Sequence, residues 1–139
     1  MTVFSVPYKK EIDKYMQILK EKLNPKLIIL HGSIARGTFG VGSDVDILVI
    51  SDELPKNFNK RLKLLYLLDE TSAPIDIKGY TTKEFQRMVL RGHPLALDAL
   101  EEGIVLFADE DYLREIKKLF VHAKKKFKRI EKGWMRIER

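Results

Sequence analysis

The chain contains no cysteine in its 139 residues. This absence excludes a disulfide framework, thiolate metal sites and cysteine nucleophiles. No apolar run approaches the 18 residues that a membrane-spanning helix needs. The first five residues also lack the basic segment and the long apolar stretch of a signal peptide. At this length we expect a single cytoplasmic domain that does not enter a membrane.

Acidic residues are scarce at one end of the chain. Residues 111–139 contain 11 of the 26 Lys and Arg but only 4 of the 20 Asp and Glu. We therefore divide the chain into a domain of residues 1–110 and a basic segment of residues 111–139. One long helix is predicted from Asp109 onward, with an apolar face that packs on the domain or on a partner. Its apolar positions are Leu113, Ile116, Phe120, Ala123, Phe127 and Ile130.

Two other features of the basic segment bear on partners. The run from Lys124 to Arg129 is typical either of a solvated or partner-facing helix or of an RNA-binding patch, and we favour the first. Trp134 is a candidate interface anchor. Nucleic acid therefore stays an alternative partner.

Helical and strand patterns alternate along the first 110 residues. Apolar residues at helical spacing predict helices over 7–23, 58–68, 81–90 and from 94 to about 103. In the second of these, the spacing places Leu62, Leu65 and Leu68 inward, and Tyr66 is interpreted as core. We expect Ser5 to cap the first helix, and Thr81 with Glu84 to form a capping box. Apolar or alternating runs predict strands over 26–30, 45–50, 74–80 and 104–107. The fold class is therefore α/β, a small sheet of about four strands with helices packed over it.

The glycine-rich stretch from Gly32 to Asp46 carries the first functional signal. A predicted strand ends at Gly32, which allows a ligand to approach the backbone closely. A helix starting at Ser33 would present unpaired N–H groups, which favour phosphate. Arg36 could add a fork of donors, although it could also pair only with a nearby acid.

Asp44 and Asp46 lie two residues apart where the next strand begins. The period of a strand places both carboxylates on one face, with Val45 pointing away. Two neighbouring carboxylates repel each other unless a cation lies between them. Hard oxygen ligands of this kind suit Mg²⁺ together with substrate phosphates. The pattern therefore indicates metal-assisted phosphoryl or nucleotidyl transfer.

Asp76 is a third candidate ligand, on a strand whose neighbours Ile75 and Ile77 point inward. If this strand lies beside 45–50, Asp76 could bind the second metal and help to deprotonate an attacking hydroxyl. Lys78 would share its face and could reach a triphosphate. The alternative for Asp76 is a solvated residue on an edge strand.

Gly32-Ser33, ten residues, and then Asp44-x-Asp46, with Arg36-Gly37 in the spacer, resembles the DNA polymerase β-like nucleotidyltransferase superfamily. More narrowly, the chain is similar to the minimal nucleotidyltransferases that are antitoxin-type partners of HEPN-domain proteins. The resemblance covers about residues 10–107. It implies the polymerase β-like fold with a small mixed sheet.

The resemblance also implies roles for residues and partners. Asp44, Asp46 and Asp76 would bind two Mg²⁺ ions, while Gly32 and Ser33 would hold the triphosphate. ATP is the expected donor, and the expected acceptor is a hydroxyl of a HEPN toxin. The alternative is an antitoxin that neutralises its HEPN partner by binding alone. No histidine site is expected, because His31, His93 and His122 share no spacing, and His31 is interpreted as a satisfied structural residue.

Overall fold

The computed structural model describes residues 6–40, 42–130 and 133–137. Its elements, in chain order, are α1 (Lys9–Leu23), β1 (Leu27–His31), α2 (Gly32–Arg36), β2 (Val45–Ile50), α3 (Phe58–Leu68), β3 (Ile75–Tyr80), α4 (Thr82–Leu90), α5 (Pro94–Glu102), β4 (Ile104–Ala108), α6 (Glu110–Lys124), β5 (Phe127–Ile130) and β6 (Gly133–Arg136). The α/β class and the four predicted strands are confirmed. No helix within these ranges has the length and apolar character needed to cross a membrane.

The main sheet has four strands in the order β3-β2-β1-β4. β2 runs parallel to β3, whereas β1 is antiparallel to both β2 and β4. The sheet is therefore mixed, as the resemblance implies. The parallel pair requires a crossover connection, which α3 provides.

The two faces of the sheet bury different sets of side chains because neighbouring residues of a strand point to opposite faces. One face packs against α1 and α3, and it includes Ile28, Leu30 and Ile47. The other face packs against α4, α5 and α6, and it includes Ile29 and Leu48. The central strands β1 and β2 are buried on both sides, which explains their nearly continuous apolar sequences.

Several predicted helix boundaries are confirmed by the caps. The Thr81 hydroxyl accepts from the N–H of Glu84, and the Glu84 side chain accepts from the N–H of Thr81, which completes the capping box. Asn24 ends α1 in the left-handed conformation, and Gly103 ends α5. The predicted cap Ser5 lies outside the described residues.

The prediction of one helix from Asp109 onward is wrong beyond Lys124. α6 ends there, and β5 and β6 form a separate antiparallel pair, the C-terminal hairpin. Phe127 and Ile130, assigned to the helical stripe from the sequence, therefore lie on a strand. The burial of β5 alternates with a period of two, so a strand pattern within the basic run was read as a helical one.

Specific packing explains why the chain leaves the helix. The ring of Phe127 lies against Gly92, where an added Cβ would collide with it. The indole Nε1 of Trp134 donates to Asp98 Oδ1 at 2.9 Å. Trp134 is thus used within the chain, against α5, and the hairpin makes contacts that a continuing helix would not make.

The core assignment of α3 also needs correction. Leu62, predicted to point inward, is 50% exposed, and Tyr66 is 77% exposed. Leu65 is buried as expected, but the other fully buried residue of this helix is Arg61. Arg61, rather than the neighbouring Leu62, is therefore the residue of this turn that is buried.

Candidate active site

Strand register brings two of the three predicted carboxylates together. In the parallel pair, Asp46 on β2 is the register partner of Asp76 on β3. In the antiparallel pair, His31 at the end of β1 is the partner of Asp46. Asp44 immediately precedes β2. The expected adjacency of the Asp76 strand and the Asp46 strand is therefore confirmed, and we call Asp44, Asp46 and Asp76 the carboxylate site.

Gly32 is required at the edge of the carboxylate site. Its φ is +74°, and a Cβ at this position would collide with Oδ2 of Asp46. Residues other than glycine are strained at such a φ. The missing side chain thus lets the Asp46 carboxylate lie against the turn between β1 and α2, the five-residue helix that carries Ser33 and Arg36.

The carboxylates of the site interact electrostatically. Partial burial raises the pKa of Asp46 above its usual value, and the negative charges of Asp76 and Asp44 raise it further, while Lys78 acts in the opposite direction. Mutual repulsion of this kind is relieved by a cation between the carboxylates.

Two predicted phosphate ligands are engaged with acids in this structure. Lys78 Nζ lies 3.1 Å from Asp76 Oδ2, so both side chains share one face of β3 as predicted. Arg36 Nη1 lies 3.3 Å from Glu102 Oε2 on α5. Arg36 therefore has the acidic partner that sequence analysis left open, and Lys78 contacts the third carboxylate.

His31 is a residue whose surroundings sequence analysis misjudged. It is buried, at 7% exposure, but it is not satisfied, because Nε2 has no hydrogen-bond partner in the described part of the chain. Burial lowers the pKa of His31 to about 4, and the positive charge of Lys78 contributes. The imidazole is therefore neutral at pH 7. In the sequence, the feature that points to these surroundings is the position of His31 directly before Gly32.

The residues fit a cation that binds together with substrate. In the described ranges, no three His, Asp or Glu side chains are already gathered to hold a metal ion. The register-paired Asp46 and Asp76 instead supply adjacent carboxylates beside the turn at Gly32. Mg²⁺ is usually held by one or two carboxylates plus waters and substrate phosphates, and this donor set is of that kind.

Comparison with protein families assigns residues 12–107 to a family described as "Nucleotidyltransferase domain". The match includes the turn at Gly32 and all three carboxylates of the site. The chain belongs to this family. It therefore contains a nucleotidyltransferase domain, as the motif resemblance predicted.

Two curated relatives from Methanocaldococcus jannaschii are similar to parts of this chain. One, named "Putative protein adenylyltransferase MJ1305", is 48% identical over 56 residues, which cover 39% of this chain and 38% of the relative. The other, "Putative protein adenylyltransferase MJ0141", is 37% identical over 70 residues, covering 50% of this chain and 65% of the relative. The chain thus matches less than two thirds of the length of either relative.

Solved structures include more distant neighbours of this chain. A "putative nucleotidyltransferase from Sulfolobus solfataricus" has a TM-score of 0.49 and 17% identity, covering 79% of this chain and 94% of that one. A toxin–antitoxin structure "with AMP-PNP" has a TM-score of 0.47 and 22% identity, with coverage of 81% and 89%. At this level of similarity, neither neighbour informs the activity.

The C-terminal hairpin is connected to Arg36 through α5. Glu102 is shared, since Oε1 lies 3.0 Å from Nη2 of Arg129 on β5 while Oε2 faces Arg36. Arg129 also lies 3.3 Å from Asp98 and over the ring of Trp134, at 5.5 Å from the centroid. We call these five residues the Arg36 cluster. Two ion pairs, Arg129–Glu102 and Glu102–Arg36, therefore connect the hairpin to α2, the helix that carries Ser33.

Proposed function

We propose that this nucleotidyltransferase transfers AMP from ATP, with Mg²⁺, to a hydroxyl of a HEPN toxin, as the antitoxin of a toxin–antitoxin module. The observation that carries the transfer chemistry is the register pairing of Asp46 with Asp76 beside the glycine turn. The HEPN partner follows from the motif resemblance. The donor ATP is supported by the names of the two curated relatives.

The proposed role of each residue follows from its position in the fold. The backbone at Gly32 and Ser33 would receive the triphosphate, because α2 begins there with unpaired N–H groups. Arg36 would exchange Glu102 for a phosphate oxygen. Asp44, Asp46 and Asp76 would hold two Mg²⁺ ions, which lower the pKa of the attacking hydroxyl and neutralise charge on the phosphates.

The transfer step is an in-line displacement at the α-phosphorus. The acceptor oxygen forms a bond to this phosphorus while the bond to the β-phosphate oxygen breaks, and pyrophosphate leaves. The hydroxyl proton passes to a carboxylate or to water. Asp76 is our candidate for orienting the acceptor hydroxyl, because β3 lies on the side of β2 away from β1 and α2.

The test is incubation with each NTP, Mg²⁺ and the HEPN-domain protein from the neighbouring gene, followed by intact-mass measurement. We expect AMP on the HEPN protein with the wild-type chain, and at least about a thousand-fold slower transfer with Asp46→Asn. Asp76→Asn should lose transfer but keep nucleotide binding. Asp13→Asn, on the exposed surface of α1, is the matched control and should keep both.

Two results would contradict the proposal. Transfer at the wild-type rate by the Asp46→Asn variant would remove the carboxylates from the chemistry. An unmodified but neutralised HEPN protein would instead support an antitoxin that acts by binding alone.

A further inference from the structure

A cleft of about 310 Å³ opens between the start of α3, the end of β3 and α4, and we call it the α4 groove. The rings of Phe58 and Tyr80 meet edge to face in it, with centroids 6.3 Å apart. Arg87, Arg91 and His93 also line it. The groove therefore combines an aromatic wall with positive charge.

The described part of the chain offers the arginines of the groove no ion-pair partner. Within residues 6–40, 42–130 and 133–137, no ion pair or side-chain hydrogen bond involves Arg87 or Arg91, and both are exposed. The one carboxylate in the lining, Glu84, is occupied, because it binds the buried Arg61 at 2.8 Å and caps α4. Two unpaired guanidinium groups one helical turn apart attract an anionic ligand.

The groove lies on the same face of the sheet as the carboxylate site. Asp76, Lys78 and Tyr80 alternate along β3 and so point to one face, and Tyr80 is in the groove. At about 3.3 Å per residue, Lys78 is roughly 7 Å and Asp76 roughly 13 Å along the strand from Tyr80. β3 thus leads from the groove to the third carboxylate.

In-line transfer fixes the side from which the acceptor approaches. The leaving pyrophosphate, on the proposed function, lies at the α2 turn that follows β1. The attacking oxygen must enter opposite the leaving group. Across the order β1-β2-β3 that opposite side is β3, and it is the side on which the α4 groove opens.

We propose that the α4 groove is the docking site for the acceptor, and that it binds an acidic segment of the acceptor protein next to the modified hydroxyl. The inference rests on the proposed function and adds the place and the charge of the second substrate. Arg87 and Arg91 bind carboxylates of this segment, and the Phe58 and Tyr80 rings contact its apolar side chains. Both arginines act on acceptor binding and neither acts on nucleotide binding.

The experiment compares two charge reversals with the same helical spacing. Arg87→Glu/Arg91→Glu alters the groove, and Lys10→Glu/Lys14→Glu alters exposed residues of α1 on the other face of the sheet. Each protein is assayed for Mg·ATP binding by calorimetry, for binding of labelled HEPN acceptor by anisotropy, and for transfer at limiting acceptor. If Arg87→Glu/Arg91→Glu unfolds at a lower temperature than wild type, Arg87→Gln/Arg91→Gln replaces it in the three assays.

We expect the groove variant to lose at least tenfold in acceptor binding and in transfer efficiency, with Mg·ATP affinity within twofold of wild type. The α1 control should match wild type in all three measurements. Higher salt should weaken acceptor binding to wild type more than to Arg87→Gln/Arg91→Gln.

Other outcomes separate the two proposals. Equal acceptor binding by the groove variant and wild type would overturn the docking site while leaving the transferase proposal standing. If only the groove variant loses acceptor binding, and wild type itself transfers no AMP, the docking site is supported and the transferase proposal is rejected. If the variant loses single-stranded RNA binding but keeps the acceptor, the groove is a nucleic-acid site and the inference is wrong.

Discussion

Arg61 on α3 and Arg36 on α2 differ in burial and in the partners that they bind. Arg61 is 1% exposed, and its guanidinium binds Glu84 at 2.8 Å and the carbonyl oxygens of Pro55 and Gly79 at 2.9 and 3.2 Å. It also lies over the ring of Phe58, 4.6 Å from the centroid. We call this group the Arg61 cluster. Its hydrogen-bonding capacity is nearly saturated within the protein.

Arg36 differs in both exposure and partners. Its side chain is 39% exposed, and Glu102 is its ion-pair partner in the described structure. Glu102 is also paired with Arg129, so loss of the Arg36 pair would not leave the carboxylate without a cation. A buried, saturated arginine stabilises the fold, whereas an exposed one with an exchangeable partner is available to a ligand.

The largest effect should come from Arg61→Met. Removal of one member of a buried pair leaves Glu84 without its cation and two carbonyl groups without donors, so we expect a loss of about 3 kcal/mol in the free energy of unfolding. Urea denaturation measures it. If Arg36→Met destabilises the protein by the same amount, the contrast between the two clusters is false.

Arg36→Met should act on ligand binding. We expect about tenfold weaker Mg·ATP binding by calorimetry, equivalent to about 1.4 kcal/mol. The free energy of unfolding should change by less than about 0.5 kcal/mol, because partly exposed ion pairs contribute little. Unchanged Mg·ATP affinity would show that Arg36 pairs with Glu102 but does not bind the nucleotide.

Glu84→Gln tests the Arg61 cluster through pH. Burial alone would raise the pKa of Glu84, but hydrogen bonds from Arg61 and Thr81 outweigh it and lower the pKa below 4.5. A carboxyl whose pKa is lowered in the folded state stabilises the fold above its unfolded pKa, and this stability is lost as the pH falls through the folded value. Wild type should therefore be about 1 kcal/mol more stable than the variant at pH 7. Urea titrations should show the difference shrinking as the pH falls through the lowered pKa of Glu84, and a difference that stays constant with pH would contradict this.

Trp134→Phe should produce the smallest effect. The phenylalanine fills most of the indole space but cannot donate to Asp98, so we expect a loss of about 0.5 kcal/mol. Mg·ATP affinity should stay within twofold, since Arg129 still holds Glu102. A larger change in affinity than in stability would show that the hairpin controls Arg36 directly.

The carboxylate site could be predicted because each of its residues belongs to a local pattern. Asp46 lies in a short strand that is otherwise entirely apolar, and Asp76 lies in a strand whose apolar residues alternate. The glycine turn precedes Asp46 by a recognisable spacing. The partner of Arg36 could not be predicted in this way. Glu102 lies 66 residues away on another helix, and no periodicity connects two positions that meet only through tertiary packing.

The C-terminal hairpin was missed for a different reason. The strong helical pattern of α6 continues in register as far as Phe127, and the run of lysines hides the change to a period of two. Phe127 leaves the helix because its ring packs on Gly92, a contact that is invisible in the sequence of either segment. Arg61 was overlooked because its burial depends on Glu84 and on two carbonyl groups from separate loops and strands.

The parallel register of β2 and β3 determines where the chain tolerates insertions. Asp76 faces Asp46 because their strands are aligned residue for residue, and residues 51–74 connect them through α3. Extra residues in the loop between Leu68 and Ile75 would lengthen the connection without shifting the strands. One residue inserted inside β3 would turn Asp76 toward the α1–α3 core and bring an isoleucine into its place. The loop before β3 can therefore vary in length, whereas within β3 only insertions of an even number of residues keep Asp76 on its face of the sheet.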